Sequence, residues 1–309
     1  MPRVLVVGSI NMDLIMQCER APRAGETVSG GVFHTAHGGK GANQAVACAR
    51  LGARTVMVGR VGGDEFGPRL RGALEAEGIG VAPVRVDQGT ASGVAVILLE
   101  RSGANRIVVA GGANHRLGDE DVAAAAALLD STDVVLMSLE IPLEVAVRVA
   151  AACRERGVRC VLDAGPASPE VAQVGLPRLV DVISPNETEA EALTGVPVAG
   201  ADGARSAAAR LRAVGAREVV IKLGAGGAYW AGEEGEGHLP AFAIKPVDTT
   251  AAGDAFSACL AVSLAAGLPI REAVRRANAA GALACLTLGA QPSMPTRAAL
   301  EAFLQERDA

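Results

Sequence analysis

The feature that most constrains the fold is an alternation of short β-branched runs with Ala-rich stretches of helical length. RVLVVGS (3–9) precedes GANQAVACARLG (41–52), and TVMVGRV (55–61) precedes DEFGPRLRGALEAEG (64–78). DVVLMS, LEVAVRVAAACRERG, VRCVLDA, LVDVISP, ARSAAARLRAVG and REVVIKLG continue the pattern from 133 to 224. Each strand-like run is apolar without interruption, so both of its faces must be covered, and the helices between the runs supply the cover. This predicts an α/β chain with a mainly parallel sheet between two helical layers. Half of the 309 residues are hydrophobic, with one Trp and one Tyr, so the core must be built from Val, Leu, Ile and Ala.

Two segments break the alternation. Residues 14–37 lack a helical period, and residues 91–110 read as two strands joined by a Ser-Gly-Ala-Asn turn. Both alternate like antiparallel strands with one open face. They predict a small β-sheet beside the α/β body, and long excursions from such a body tend to be functional, here as a lid. No linker or repeat divides the chain, so residues 1–309 are expected to form one domain.

Composition narrows the partners. A net charge of −5 gives no sign of a nucleic-acid or membrane partner. Each apolar run is broken by charge, Gly or Pro before it could span a bilayer. The N-terminal apolar stretch meets Asp13 without a cleavage pattern, so no signal peptide is expected. Six scattered cysteines without a CxxC pair read as buried reduced thiols of a cytoplasmic protein. His34, His37, His115 and His238 have no metal-ligand spacing.

The chemistry is concentrated in VDTTAAGDAF (247–256). A helix follows it, so Ala251, Ala252 and Gly253 stand at a helix N-terminus, where free amides and the dipole favour an anion. Asp254 in that first turn would repel a bound phosphate. It makes sense as a base acting on a hydroxyl that attacks the phosphate, against the alternative of an ordinary first-turn Asp. Asn11 and Asp13, at alternate positions after the first strand, point the same way and can bind sugar hydroxyls as donor and acceptor. Gly38, Gly39, Lys40, Gly41, Ala42 and Asn43 form a glycine loop leading into a helix. It is neither a P-loop nor a dinucleotide fingerprint. Glu140 ends a strand at the edge where α/β proteins carry ligands. Asn186 and Glu189 are spaced as a capping box and also offer hard oxygen ligands to a hydrated Mg²⁺. Lys222, Leu223, Gly224, Ala225, Gly226 and Gly227 make a glycine turn at a strand end. Asn278 lies on the helical run IREAVRRANAAGALACLTL (270–288).

Five of these stretches, in this order, resemble the ribokinase (PfkB) family of sugar and nucleoside kinases: GSINMD (8–13), HGGKGANQAVA (37–47), SPNETEAE (184–191), DTTAAGDAF (248–256) and GAQPSMP (289–295). The resemblance covers nearly the whole chain. It implies a ribokinase-like three-layer fold with a β-sheet lid, and transfer of phosphate from ATP to O5 of D-ribose, giving ribose 5-phosphate. Asp254 would be the base, with the amides of Ala251, Ala252 and Gly253 as the anion hole. Asn11, Met12, Asp13, Gly39, Lys40, Gly41, Ala42, Asn43, Glu140 and Asp254 would hold the sugar. Asn186, residues 222–227, Gly253, Asp254 and Asn278 would hold ATP, with Mg²⁺ near Asn186 and Glu189. One departure concerns Lys222, which stands where ribokinases often have Thr. It can reach a nucleotide phosphate or be solvated.

The resemblance also implies a K⁺ site. It would use Asp248 and the carbonyl of Thr250, the carbonyls of Ala284, Thr287 and Gly289, and the hydroxyl of Ser293. It further implies a homodimer formed through the lids. The readings left open are another kinase of the family, acting on a nucleoside, fructose or a deoxyribose, and a non-catalytic sugar-binding regulator on the same fold. The absent dinucleotide fingerprint argues against a dehydrogenase.

Overall fold

The computed structural model describes residues 1–102 and 105–308. Thirteen strands form two sheets among the described residues. They are β1 (Arg3–Val7), β2 (Asn11–Cys18), β3 (Phe33–Gly38), β4 (Arg54–Gly62), β5 (Val84–Asp87), β6 (Gly93–Glu100) and β7 (Asn105–Ala110) in the first part of the chain. β8 (Val134–Ser138), β9 (Arg159–Asp163), β10 (Val182–Ser184), β11 (Glu218–Lys222), β12 (Ala228–Gly232) and β13 (Gly235–Leu239) follow.

The large sheet has the order β13-β12-β11-β10-β9-β8-β1-β4-β5. It is parallel from β11 to β5, and at one edge β12 is reversed, pairing antiparallel with β11 and with β13. Alternate residues of its strands feed two separate cores. Val4, Val6, Met57, Leu136, Val161, Val182 and Val220 face α1 (Lys40–Arg50), α2 (Phe66–Ala76) and the C-terminal helices. Leu5, Val7, Val58, Val135, Met137, Leu162, Ile183 and Val219 face the other side, which is covered by α3 (Asp119–Leu128), α4 (Leu143–Arg156), α5 (Pro169–Gln173), α6 (Leu176–Leu179), α7 (Glu187–Thr194) and α8 (Gly200–Ala213). The C-terminal helices are α9 (Ala252–Ala265), α10 (Ile270–Ala284), the short α11 (Ala290–Ser293) and α12 (Arg297–Asp308). The period-2 alternation of the strands therefore produces the three layers directly.

From β1 the chain winds outward through β4 and β5, then returns to β8 on the other side and winds through β9, β10 and β11. This reversal creates a switch point between β1 and β8, and ligands of open α/β sheets bind at the carboxyl ends of strands beside such a point.

The second sheet has the order β3-β2-β6-β7. Two hairpins make it, as the sequence predicts, but they join by parallel pairing of β2 with β6 rather than by antiparallel pairing throughout. β2 begins at Asn11, so Asn11 and Asp13 belong to this sheet and do not merely follow the first strand. A Cβ on Gly93 would stand 2.1 Å from Asn11 Oδ1 and 2.2 Å from Asn114 Nδ2, so only glycine fits where the two hairpins cross.

The expected helix 270–288 stops at Ala284. The amides of Val247 and Asp248 donate to the Cys285 carbonyl at 2.8 and 3.3 Å, so the neighbouring loop captures the group that would continue the helix end. No helix among the described residues is long and apolar enough to cross a membrane. The six cysteines are unpaired, five of them buried.

Candidate active site

Five strand ends and two helix N-termini converge at the carboxyl edge of the large sheet. Ser9 follows β1, Glu140 follows β8, Asp163 ends β9, Asn186 follows β10 and Lys222 ends β11. The N-termini of α1 and α9 lie side by side above them, bringing Lys40 next to Asp254. Gly41 permits this approach, because a Cβ there would lie 2.6 Å from the backbone at Gly8 and Ser9.

Asp254 is buried in the first turn of α9. Asn43 Nδ2 donates to its Oδ2 at 2.9 Å, Gln44 Nε2 donates to its Oδ1 at 3.3 Å, and Lys40 Nζ stands 3.9 Å from Oδ1. Burial pushes its carboxyl up to about 6; Lys40 and the Asn43 bond oppose that rise, while Asp163 and Glu140 add to it. A carboxylate held near that value is ionised at neutral pH and still basic enough to accept a proton.

The turn before α9 is strained. Ala251 has φ 58°, the one non-Gly residue with positive φ among those described. Such a conformation costs roughly 1–3 kcal/mol and persists only where the surroundings enforce it. It leaves the amides of Ala251 and Gly253 without a protein acceptor, whereas the Ala252 amide donates to the Thr249 carbonyl at 3.3 Å. Of the three expected anion-hole amides, two are therefore free.

Lys40 is surrounded by carboxylates. It lies 3.9 Å from Asp163 and from Asp254, and Asp163 first, then Asp254, Glu189 and Glu140 raise its pKa. Glu140 accepts from the Ser9 hydroxyl and from the Lys40 backbone amide at 3.1 Å. Asp13 is pushed up to about 7 by burial, then by Glu140 and Asp254. Asn11 is buried and accepts from Asn114 Nδ2 at 2.7 Å. The Met12 side chain is in the core, so only its backbone faces a ligand. Ala42 and Asn43 are buried and Gly39 has φ 88°.

Asn186 and Glu189 form a reciprocal capping box, with both bonds at 2.8 Å. Glu189 Oε1 lies beside Gly165, where a Cβ would come within 2.2 Å of it. In the glycine turn, Leu223 is buried, the Leu223 amide donates to the Gly227 carbonyl at 2.8 Å, and the Gly226 carbonyl bonds His238 Nε2 at 2.7 Å. Gly224 and Ala225 remain open to solvent. Asn278 is not a surface residue of α10: it is buried and its amide donates to the carbonyls of Leu239 and Pro240 at 3.3 and 3.5 Å. Lys222 is not solvated either. Its ammonium is buried, 3.2 Å from Asp163 Oδ2 and 3.4 Å from Ser257 Oγ.

Asp248 bridges two loops. Its Oδ1 accepts from the amide and hydroxyl of Thr250 at 2.9 and 2.7 Å, and its Oδ2 accepts from the Gly289 amide at 2.8 Å. Burial works against the charge, but the Gly289 and Thr250 bonds hold the carboxyl below its usual range. The Ser293 hydroxyl donates to the Ala290 carbonyl at 2.7 Å, and the Ala284 carbonyl accepts from Thr287 at 3.4 Å.

Sequence reasoning missed Gln44, Asn114, Asp163 and Ser257. Asp163 carried the same signal as Glu140, a carboxylate at a strand's carboxyl end. Gln44 directly follows Asn43 on a helix whose other inward residues are apolar. Asn114 gave no signal, because it reaches the site from a 3₁₀ turn distant in sequence.

Comparison with known proteins agrees with this geometry. The family model described as pfkB family carbohydrate kinase matches residues 1–297. A ribokinase of Haemophilus influenzae is 38% identical over 300 residues, covering 97% of each chain. A deoxyribokinase of Salmonella typhi is 35% identical, covering 95% of each. The solved structure of Arabidopsis thaliana ribokinase complexed with ribose and ATP superposes with a TM-score of 0.88 at 35% identity, covering 98% of this chain and 99% of that one. A buried aspartate at a helix N-terminus beside the switch point, together with a match in sequence and in fold along nearly the whole chain, shows that this chain belongs to the pfkB family of carbohydrate kinases.

Proposed function

We propose that this protein is an ATP-dependent ribokinase, converting D-ribose to ribose 5-phosphate. The observation that carries the reading is the buried Asp254 at the α9 N-terminus, oriented by Asn43 beside two free amides. Asp254 takes the proton from the O5 hydroxyl as it attacks the γ-phosphoryl group. The amides of Ala251 and Gly253 stabilise the charge on the transferring group, with Ala252 joining when the Thr249 bond yields. Asn11, Asp13, Glu140 and the loop Gly39–Asn43 hold the sugar hydroxyls, Met12 through its backbone. The glycine turn after β11, Leu223 to Gly227, with Asn186 and Asn278, holds the nucleotide. The sheet of β2, β3, β6 and β7 acts as the lid that excludes water, the competing acceptor. Body and lid, residues 1–309, work as one kinase domain. ATP use and unpaired thiols support a cytoplasmic setting.

Mg²⁺ fits the donor set. Five carboxylates, Asp13, Glu140, Asp163, Glu189 and Asp254, face only two ammoniums, Lys40 and Lys222, so added positive charge is needed before a polyphosphate can settle there. Asn186 and Glu189 would hold it through water, and bound Mg²⁺ would neutralise charge on the ATP oxygens. K⁺ fits the oxygens of Asp248, Thr250, Ala284, Thr287, Gly289 and Ser293, because Asp248 already draws the two loops together. It would hold the turn that carries the free amides.

The lid supports a homodimer. Phe33, Val96 and Val108 leave one face of the four-stranded sheet apolar and exposed, opposite the face that carries Asn11 and Asp13, and packing lid on lid would cover it and protect its edges.

The relation to a deoxyribokinase favours one second reading, phosphorylation of 2-deoxyribose. ADP release measured with ribose, 2-deoxyribose, fructose and a nucleoside separates the readings. The highest kcat/KM on ribose supports the proposal. Highest turnover on 2-deoxyribose supports the second reading, and release with no sugar in the panel would leave only the sugar-binding regulator.

A further inference from the structure

Asp163 has no sugar- or phosphate-binding role above, and Lys222, which begins the glycine turn, is buried beside it at the centre of the site. Asp163 Oδ2 accepts from Gln44 Nε2 at 3.0 Å and from Ser257 Oγ at 2.8 Å, and Lys222 Nζ stands 3.2 Å away. Asp163 Oδ1 accepts from the Gly165 amide at 3.3 Å and faces Lys40 Nζ at 3.9 Å. Lys40 stands at the same 3.9 Å from Asp254. One ammonium is thus shared between two carboxylates, and only one of those carboxylates has a second cation of its own.

The asymmetry has an electrostatic consequence. In a poorly solvated site an unneutralised Asp163 would draw Lys40 to itself, away from the base and from any phosphate. Lys222 supplies the missing charge from below, and Ser257, one turn beyond Asp254 on α9, fixes the carboxylate from the side. Gln44 donates to Asp163 and to Asp254 from the same nitrogen, so a shift of one carboxylate is felt by the other.

We propose that Asp163 and Lys222 are a buried charge-balanced positioning pair that keeps Lys40 shared with Asp254, and that Lys222 acts through Asp163 rather than by holding nucleotide. Neither is a catalytic residue. The kinetic part of this inference rests on the kinase reading above; the electrostatic part does not. The groups facing Asp254 are Lys40, Asn43 and Gln44 from α1, Asp163 and behind it Lys222 from the sheet, Glu140 after β8 and Asp13 from β2.

The test uses Lys222→Thr, Lys222→Arg, Asp163→Asn and the double variant Asp163→Asn/Lys222→Thr, in which the pair becomes neutral. Each single charge removal should lower kcat about tenfold or more while KM for ATP changes less than about threefold. The double variant should recover to within about fivefold of the parent, and Lys222→Arg should keep most activity. Asp254 is also titrated by carbon NMR in the ligand-free protein. Its midpoint should rise in Lys222→Thr, fall in Asp163→Asn, and return close to the parent value in the double variant. Thermal unfolding of each single variant beside the neutral double variant identifies a fold lost through an unpaired buried charge. A double variant no better than the worse single, a raised KM for ATP in Lys222→Thr, or an Asp254 midpoint unmoved by all variants would overturn the proposal. If the parent phosphorylates no ribose, the kinase reading falls and the titration alone decides the pair.

Discussion

Asn43 donates its side-chain amide to Asp254 Oδ2 over 2.9 Å, joining the first turns of two helices whose residues lie 211 positions apart. The bond orients the carboxylate and favours its charged form. Loss of Asp254's charge should cause kcat/KM to fall as pH drops through about 6. Asn43→Leu removes an interaction that lowers the Asp254 pKa, so the acid limb should move to higher pH while kcat falls. A pH–rate profile checks both, and an unmoved acid limb would separate Asn43 from the base.

Asp13 sits at about 7 because it is buried beside Glu140 and Asp254. A sugar hydroxyl donating to it favours the carboxylate, so ribose binding near pH 7 should release about half a proton. Calorimetry in buffers of different ionisation enthalpy measures the release. Asp13→Ala should abolish it and raise KM for ribose about tenfold or more, leaving ATP binding unchanged. A ribose KM equal to the parent's would count against this pocket.

Asp248 ties the turn before α9 to Gly289. In Tris buffer freed of K⁺, NH₄⁺ and Cs⁺, activity should be low, recovering with KCl and much less with NaCl. Asp248→Ala should lose that response. Equal rates in all these salts would remove the K⁺ site.

The exposed Val108 lies on the edge strand β7 of the lid. Sedimentation at micromolar concentration should give a dimer for the parent and a monomer for Val108→Glu, since a charge buried in an apolar interface is costly. A fully active monomeric parent would contradict the lid-on-lid assembly.

The layers of the fold were legible because strand alternation and helical length are local properties. The arrangement of β2, β3, β6 and β7 in the small sheet was less so: the parallel pairing of β2 with β6 depends on a crossing at Gly93 that no local pattern encodes. In the site, Asp254 and the glycine loop stood out because small residues cluster around them. The burial of Lys222 was not legible, because its partner, Asp163, is contributed by another strand, and a lone Lys at a strand end can equally be solvated. The same limit hid the end of α10 at Ala284, which is set by the loop at Val247 and Asp248.

The role of Asp254 is tested most directly by comparing the parent with Asp254→Asn in single-turnover transfer from ATP to D-ribose, with the product identified by phosphorus NMR. The parent should yield ribose 5-phosphate. The variant keeps the shape of the side chain and loses its basicity, so transfer should slow by about 10²–10⁴-fold with ribose and ATP binding largely retained. Near-parent transfer by the variant, or a product phosphorylated at another oxygen, would contradict the assignment.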